Sequence, residues 1–240
     1  MSQHVLIVGG SSDIGLRVAE NLLHKGHSVT IFARDESRLE HIKTRGATIV
    51  LGDARETDDF ARLLEHIGDA VVDGVVHCVG SIVLRPPHAM KKTDFTEVIE
   101  TNLTTAFLTL SMIGKKMLKA GHGRMVYISS VAGSYGLTNH EAISAAKGGL
   151  EAMVRSAAST YAQRGIRVNA VAPGLTKTRL SEPLRRSEAV QEASISLIPT
   201  KAMNEISDVS STIEWLLLDA PDTLTGEIIH IDGGMSKVRG

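Results

Sequence analysis

Short apolar runs alternate with segments of helical spacing along the whole chain. Seven of these runs are typical of strands buried on both faces, as in a parallel sheet. They are residues 5–8, 28–32, 48–51, 74–78, 124–129, 167–171 and 227–231. Strands that alternate with helices imply right-handed crossover connections. The pattern therefore predicts an α/β fold, a Rossmann-like doubly wound parallel sheet of seven strands with helices on both faces.

Two long helices are predicted between the later strands. Apolar residues recur with helical spacing from Phe95 to Leu110 and again from Leu150 to Tyr161, which predicts helices over residues 94–119 and 143–164. No Pro-, Gly- or Ser-rich linker divides the chain, so residues 1–240 are interpreted as one dinucleotide-binding domain. The irregular segment 175–207 directly follows the sixth strand and is predicted to be a substrate lid.

The first strand passes into a helical pattern through glycines. Residues 5–15 read VLIVGGSSDIG, and apolar residues then recur every four positions from Ile14. The free N–H groups at such a helix start are suited to a diphosphate. The glycines stand at 9, 10 and 15 rather than in the GxGxxG spacing, so a tight turn without a ligand is the alternative.

Charge and cysteine content narrow the class of protein. The formal net charge is −1 and the basic residues are scattered, which argues against nucleic acid or membrane partners. The apolar start is too short for a signal peptide or a membrane span, so a soluble, cytoplasmic protein is expected. Cys78 is the single cysteine, which fits a reducing compartment, and the ten histidines lack metal-ligand spacing, so no metal site is predicted.

A series of short motifs then follows the predicted strand ends in order. Residues 8–15 match TGxxxGxG with Val8 for Thr and Asp13 for the middle Gly, and residues 77–80 take the place of NNAG. Asn102 lies in ETNLTTAF, and the later segments are ISSVAG at 128–133, VNAVAPG at 168–174 and LTGEIIHIDGG near the end. Together these motifs resemble the short-chain dehydrogenase/reductase family over essentially all 240 residues.

The resemblance implies an oxidoreductase that transfers hydride between a nicotinamide cofactor and a carbonyl or alcohol group of a small-molecule substrate. It carries the family's catalytic roles to Ser130, Asn102 and Lys147. Residues implied to bind the cofactor are Gly9, Ser11, Ser12, Asp13, Ile14, Gly15, Arg34, Asp53, Ala54, Cys78, Val79, Gly80, Lys147, Pro173, Gly174, Thr176 and Thr178. It also implies a homo-oligomer, a tetramer or a dimer, built through the two long helices and the last strand.

The chain departs from the family at its YxxxK motif, where residues 143–147 read ISAAK. Ile143 stands thirteen residues after Ser130 and four before Lys147, which is the register of the family's tyrosine. Loss of a positioned general acid costs about 10²–10⁴-fold in rate. Three interpretations follow: hydride transfer with a proton from water held by Lys147 and Asn102 or from a nearby surrogate, a substrate that needs no protein acid, or a sensor or scaffold that binds the dinucleotide without turnover. The surrogates within reach in sequence are His140, Glu141 and Tyr135.

Cofactor choice is expected at the end of the second strand. Arg34 takes the position that distinguishes the 2′-phosphate of NADP from the 2′-hydroxyl of NAD, so NADP(H) is favoured and NAD(H) is the alternative. Arg38 is a candidate to assist, unless both arginines merely pair with Asp35 and Glu36 at the surface. The resemblance places Asp53 at the adenine. A carboxylate beside a diphosphate is repulsive, so Asp13 is predicted to cap the helix and point away from phosphate.

The sequence does not identify the substrate. Basic residues crowd the predicted lid, and such a rim attracts an acidic substrate or the cofactor phosphate, although a solvated face is the commoner origin of such a charge run. They are Lys177, Arg179, Arg185 and Arg186. With one Trp, three Tyr and four Phe in the chain, a flat aromatic substrate held by stacking is disfavoured.

Overall fold

The computed structural model describes residues 2–238, which contain a seven-stranded, fully parallel sheet in the order β3-β2-β1-β4-β5-β6-β7. The strands are β1 His4–Val8, β2 Ser28–Ala33, β3 Thr48–Leu51, β4 Gly74–His77, β5 Gly123–Ile128, β6 Ile166–Pro173 and β7 Ile228–Ile231. Each overlaps the apolar run that predicted it. The predicted α/β fold and doubly wound parallel sheet are confirmed.

Helices cover both faces of this sheet. They are α1 Asp13–His24, α2 Glu40–Thr44, α3 Thr57–Ile67, α4 Lys92–Ile99, α5 Thr105–Ala120, α6 Glu141–Tyr161, α7 Glu188–Ser196 and α8 Ile206–Leu218. Alternate residues of a strand point to opposite faces. Leu6 and Val8 of β1 therefore pack in the core layer under α3, α5 and α6, whereas Val5 and Ile7 pack in the layer under α1 and α8.

The crossover between β3 and β4 creates the crevice of the fold. β1 pairs with β2 on one side and with β4 on the other, so the helices that follow β1 and β4 lie on opposite faces. In open α/β sheets ligands bind at such a switch point, beyond the carboxyl ends of the strands. The glycine-containing turn after β1 lies at this crevice.

The first predicted long helix is interrupted. Between α4 and α5 the chain forms a π-helical turn, Glu100–Thr104, which includes Asn102. π-turns inside helices commonly mark functional positions because the extra residue reorients a side chain. Helical periodicity alone does not reveal such an insertion.

The second predicted long helix is confirmed as α6, extended by a 3₁₀ turn at Ala162–Arg164. Ala146, Leu150 and Val154 are fully buried in the core of the chain, so they are not free for contacts between subunits. Phe107 of α5 is 55% exposed. Within residues 2–238, no helix combines the length and apolar character needed to cross a membrane.

Candidate active site

A cleft of about 790 Å³ opens at the carboxyl ends of the strands. Every residue that the sequence assigned to the cofactor or to catalysis lines it except Gly15. These residues are Gly9, Ser11, Ser12, Asp13, Ile14, Arg34, Asp53, Ala54, Cys78, Val79, Gly80, Asn102, Ser130, Lys147, Pro173, Gly174, Thr176 and Thr178. Residues separated by more than 160 positions along the chain therefore border one cavity.

The turn after β1 requires glycine. Gly9 has φ +78°, and a Cβ there would lie 2.8 Å from the backbone nitrogen of Val79. Gly15 is packed inside the helix start, where a Cβ would lie 2.9 Å from Cα of Gly10. The close approach of the two loops leaves the first turn of α1 facing the cleft, an arrangement that suits the diphosphate of a dinucleotide.

Ser12, not Asp13, caps α1. Ser12 has the extended backbone typical of an N-cap (φ −69°, ψ 156°), and its Oγ accepts a hydrogen bond of 3.1 Å from the N–H of Gly15. The prediction that Asp13 caps the helix is therefore wrong. Asp13 lies one residue inside the helix, and its carboxylate instead binds Arg38 (2.7 Å) and the backbone N–H of Arg179 (2.7 Å).

Three charged groups meet at the end of β2 and β3. Arg34 is 66% exposed along its side chain and lies 3.8 Å from Asp53, which Arg55 binds more closely at 2.6 Å. Hydrogen bonds from the Arg55 side chain, with help from its backbone N–H, hold the pKa of Asp53 below its usual value despite partial burial. The alternative in which Arg34 and Arg38 pair with Asp35 and Glu36 is wrong, because Arg38 binds Asp13 and Asp35 accepts hydrogen bonds from Ser37. Arg34 keeps an exposed guanidinium at the cleft.

Asn102 is fully buried and held on three sides. Its amide nitrogen donates to Ser81 Oγ (2.9 Å) and to the carbonyl of Val98 (3.0 Å), while its Oδ1 accepts from the N–H of Ser81 (3.1 Å). A Cβ at Gly80 would lie 3.1 Å from Asn102 Oδ1 and 3.7 Å from Lys147 Nζ. Gly80 therefore lets the amide and the ammonium approach the same point.

Lys147 brings a buried amine to the cleft. Its Nζ donates a hydrogen bond of 2.8 Å to the carbonyl of Ile128, and the residue is 5% exposed. Burial lowers the pKa of Lys147 to about 8. An amine with such a pKa exchanges its proton near neutral pH more readily than an exposed lysine does.

Ser130 and Ile143 occupy the wall between β5 and α6. Ser130 begins the 3₁₀ turn Val131–Gly133, and its Oγ accepts a hydrogen bond of 3.2 Å from the N–H of Ala132, which leaves its hydroxyl proton free to donate. Ile143 also lines the cleft but is only 4% exposed, packed in an apolar cluster with Val98 and Ala132. The wall of the cleft at position 143 is therefore a hydrocarbon surface.

Of the three surrogate proton donors, only His140 lines the cleft in the described structure. Its Nδ1 lies 2.7 Å from the carbonyl of Thr138, so that nitrogen carries a proton and donates it. Nε2 is then the ring atom available to exchange a proton. Glu141 is exposed and does not line the cleft, and Tyr135, 42% exposed, does not line it either.

The side chains of His77, the last residue of β4, and of Cys78, which follows it, are uncharged at neutral pH. Burial lowers the pKa of His77 to about 3, and its ring contacts the hydroxyls of Thr109 (2.9 Å) and Thr105 (3.2 Å). Burial raises the pKa of the Cys78 thiol to about 12. Neither side chain therefore gives Lys147 a charged partner at neutral pH.

Within residues 2–238, no group of three potential metal-ligating side chains forms a cluster.

A buried carboxylate behind the site was not anticipated from the sequence. Glu151, 5% exposed, accepts hydrogen bonds of 2.8 Å from both Ser129 Oγ and Ser134 Oγ. Glu151 follows Lys147 by four residues, so both lie on the face of α6 that meets the end of β5. An acidic residue on the buried face of an amphipathic helix is the sequence signal for this pair of contacts.

Comparison with known proteins decides the family. The profile of a family described as enoyl-(acyl carrier protein) reductase matches residues 9–236. The chain is 30% identical over 237 residues to the 3-oxoacyl-[acyl-carrier-protein] reductase MabA of Mycobacterium avium, covering 98% of this chain and 90% of that protein. It is also 33% identical over 241 residues to a tropinone reductase homologue of Arabidopsis thaliana, covering 96% of this chain and 91% of the relative.

The chain belongs to the short-chain dehydrogenase/reductase family. The solved structure of the NADP-bound protein ElxO superposes with a TM-score of 0.91 at 27% identity, covering 98% of this chain and 99% of that one. The relatives are oxidoreductases, and the chain is accordingly an oxidoreductase of the short-chain type. Within that family, the apolar surface of Ile143 is the feature of this cleft that most requires a chemical account.

Proposed function

We propose that this protein is an NADP(H)-dependent short-chain oxidoreductase that transfers hydride between the nicotinamide and a carbonyl or alcohol group of a small molecule. The observation that carries the proposal is the convergence of Ser130, Asn102 and Lys147 on the cleft that the glycine turn also borders. A protein that only bound a dinucleotide would not require a free hydroxyl and a buried amine in the same cleft.

A nicotinamide bound in the cleft would supply or accept the hydride, and the residues of the chain would bind the substrate oxygen and move its proton. The Ser130 hydroxyl donates a hydrogen bond to the substrate oxygen, since Oγ already accepts one from Ala132. The ammonium of Lys147, held at the Ile128 carbonyl, stabilises the negative charge that develops on that oxygen. The proton arrives from water held by Lys147 and Asn102, or from Nε2 of a doubly protonated His140 ring, whose other proton stays on Nδ1 at the Thr138 carbonyl.

NADP(H) is the proposed cofactor because Arg34 presents an exposed cation at the end of β2, where the 2′-phosphate binds in the fold. NAD(H) is the competing cofactor. Asp53 weakens this preference only partly, because Arg55 binds its carboxylate more closely than Arg34 does. The structure of ElxO with NADP supports the assignment by similarity.

We further propose that residues 1–240 form a single domain and that its 175–207 segment is the substrate lid. We also propose that the protein is cytoplasmic and forms a homo-oligomer. Three apolar side chains of the segment line the cleft while still largely exposed: Leu180 (50%), Val190 (49%) and Leu197 (62%). These side chains favour a substrate with an apolar portion. The exposed Phe107 on α5 is available for contacts between subunits.

The competing function is dinucleotide binding without turnover, in a sensor or scaffold. The observation that favours it is the burial of Ile143 among apolar neighbours, which removes the position from proton chemistry. The two functions agree on cofactor binding and differ on turnover.

The first test is a fluorescence titration of the purified protein with NADPH and NADH. We expect NADPH to bind more tightly, and Arg34→Ala to weaken NADPH by about 10-fold while leaving NADH unchanged, since one charge-assisted contact is lost. Arg45→Ala, on an exposed arginine outside the cleft, is the matched control. The next assay is a screen of carbonyl compounds for NADPH-dependent reduction. Turnover that is lost in Lys147→Met supports the oxidoreductase. Tight nucleotide binding without turnover supports the sensor. Failure to bind either nucleotide contradicts both.

A further inference from the structure

Asp13 joins three parts of the molecule that are distant in sequence. Its Oδ1 binds Arg38 Nη2 (2.7 Å) and Arg179 Nε (3.1 Å), and its Oδ2 accepts from the backbone N–H of Arg179 (2.7 Å). Arg38 in turn donates to the carbonyl of Ser11 (2.5 Å) in the glycine turn. The carboxylate therefore connects the start of α1 and the loop after β2 to the start of the 175–207 segment.

The two ends of that segment form a short stem. Thr176 and Asn204 make a parallel bridge, with hydrogen bonds of 2.9 Å from Lys177 N–H to the Asn204 carbonyl and from Asn204 N–H to the Leu175 carbonyl. Thr176 is 6% exposed at the edge of the sheet. Arg179 is thus one of the first residues to leave the stem, so a contact at Arg179 controls where the rest of the segment begins.

The contact between Asp13 and the two arginines depends on the negative charge of Asp13. The Asp13 side chain is 11% exposed, and two guanidinium groups flank it. Burial alone raises the pKa of Asp13, but the N–H of Arg179 and the guanidinium of Arg38 outweigh burial and hold the pKa below its usual value. The group is therefore a carboxylate at neutral pH, and a neutral side chain of the same shape would lose most of the attraction to both arginines.

We propose that Asp13 is a positioning residue: it latches the start of the 175–207 segment to the glycine turn and fixes Arg38 and Arg179 at the phosphate end of the cleft. The same carboxylate that is unfavourable beside a diphosphate is neutralised by these two arginines, and it stabilises the segment in the position that the structure shows. The proposal concerns the position of the segment in the protein without cofactor, so it holds whether or not the protein turns over a substrate.

Limited trypsin digestion of the cofactor-free protein tests the latch, because the segment contains its own cleavage sites at Lys177, Arg179, Arg185, Arg186 and Lys201. When opening is fast relative to cleavage, the cleavage rate follows the population of the open form. We expect Asp13→Asn to accelerate cleavage after Arg185 and Arg186 by roughly 10-fold, because a charge-assisted contact is lost. Mass spectrometry of the fragments measures the rate at each site. Cuts outside residues 175–207 should keep their rates.

Two further variants separate a latch from general destabilisation. Asp222→Asn removes an exposed carboxylate that pairs with Arg124, away from the segment, and should leave the cuts unchanged. Arg179→Gln changes a side chain that is 59% exposed, so folding is not at risk. It removes the Nε contact but keeps the backbone N–H of Arg179 bound to Asp13, so it should accelerate the cuts after Arg185 and Arg186 less than Asp13→Asn does. In the double variant the two effects should combine to less than their product, since they break one contact.

The proposal is overturned if both single variants leave the cuts after Arg185 and Arg186 within twofold of the unmodified protein. It is also overturned if Asp13→Asn accelerates cleavage equally throughout the chain, which would indicate loss of global stability. Neither outcome depends on nucleotide binding or on turnover, so failure of the latch is distinguishable from failure of the proposed oxidoreductase.

Discussion

The buried carboxylate of Glu151 accepts a hydrogen bond of 2.8 Å from the hydroxyl of Ser129, the residue next to Ser130. Its other oxygen accepts from Ser134, so the carboxylate holds the backbone on both sides of Ser130. Gly133 makes room for it, because a Cβ there would lie 2.5 Å from Glu151 Oε1. The position of the Ser130 hydroxyl therefore depends on a residue that does not line the cleft.

Two replacements of Glu151 distinguish the stability that comes from its hydrogen bonds from the stability that comes from the volume of its side chain. Glu151→Ala should lower the free energy of unfolding by about 2 kcal/mol, because the buried Ser129 hydroxyl loses its acceptor, whereas the exposed Ser134 also contacts His230 Nε2 (3.2 Å). Glu151→Gln should cost less, since its amide oxygen accepts from Ser129 and its amide nitrogen donates to Ser134. Urea denaturation measures both. An equal loss in the two variants would contradict the hydrogen-bonding role.

Ile143→Tyr should restore a proton donor. Ile143 lines the cleft in the register of the family's tyrosine, four residues before Lys147 on α6. If the site is a reductase that has lost its acid, we expect NADPH-dependent carbonyl reduction to rise by about 10-fold or more. The assay is absorbance at the nicotinamide band with a panel of ketones.

Ile143→Phe is the matched control for that gain. It introduces an aromatic ring of the same size without the hydroxyl, and both variants strain the apolar cluster around Ile143 by a similar amount. If Ile143→Phe raises turnover as much as Ile143→Tyr does, the shape of the side chain at position 143, and not a proton donor, limits the reaction. Impaired native turnover with both would show that Ile143 is a wall for the natural substrate.

Lys147 should make stability depend on pH. Its pKa is about 8 in the folded protein and near 10.5 when exposed, so between these values the unfolded chain binds more protons and stability rises with pH. We expect the free energy of unfolding to gain about 1 kcal/mol between pH 7 and pH 9 from this group. Lys147→Met should lack the gain.

The comparison between these two proteins should end near pH 9. Burial raises the pKa of the Cys78 thiol to about 12, so above about pH 9 the unfolded chain releases a proton that the folded protein keeps, and the stability of both proteins falls. Denaturation curves at pH 7, 8 and 9 give the measurement. Identical pH profiles for the two proteins would show that the amine is not desolvated.

Gly9→Ala should disrupt the nucleotide site. The residue has φ +78°, and an added Cβ would lie 2.8 Å from both the nitrogen and Cγ2 of Val79. The turn must shift, so we expect loss of measurable nucleotide binding together with a destabilisation of about 1 kcal/mol or more. Gly136→Ala, where no atom lies within 4 Å of the added Cβ, is the control. Unchanged affinity in Gly9→Ala would place the nucleotide elsewhere.

The local hydrophobic pattern of the sequence was sufficient to predict the strands of the sheet. A strand buried on both faces must be apolar throughout, and each of the seven predicted runs became a strand within a few residues of its expected bounds. The position of the cleft beyond the carboxyl ends of the strands follows from the open parallel sheet. The order of the strands was read only from the structure. The motif residues could likewise be placed at one edge because parallel strands end on the same side.

Local pattern failed where a side chain had several partners within reach. The capping role predicted for Asp13 considered only the helix that follows, whereas Arg38 and Arg179 arrive from 25 and 166 residues away along the chain. The π-turn at Asn102 and the contacts of Glu151 escaped for the same reason, because each depends on packing against a distant segment.

The sequence by itself determined the α/β class, the seven strand segments, the family resemblance and the absence of a tyrosine at position 143, since these depend on residue type and spacing. Only the tertiary structure decided that Asp13 contacts Arg38 and Arg179, that Lys147 is desolvated, and that Ile143 lies in an apolar cluster. The physical reason is that hydrophobic periodicity is set by neighbours along the chain, whereas ion pairing and desolvation depend on which distant groups share the same space.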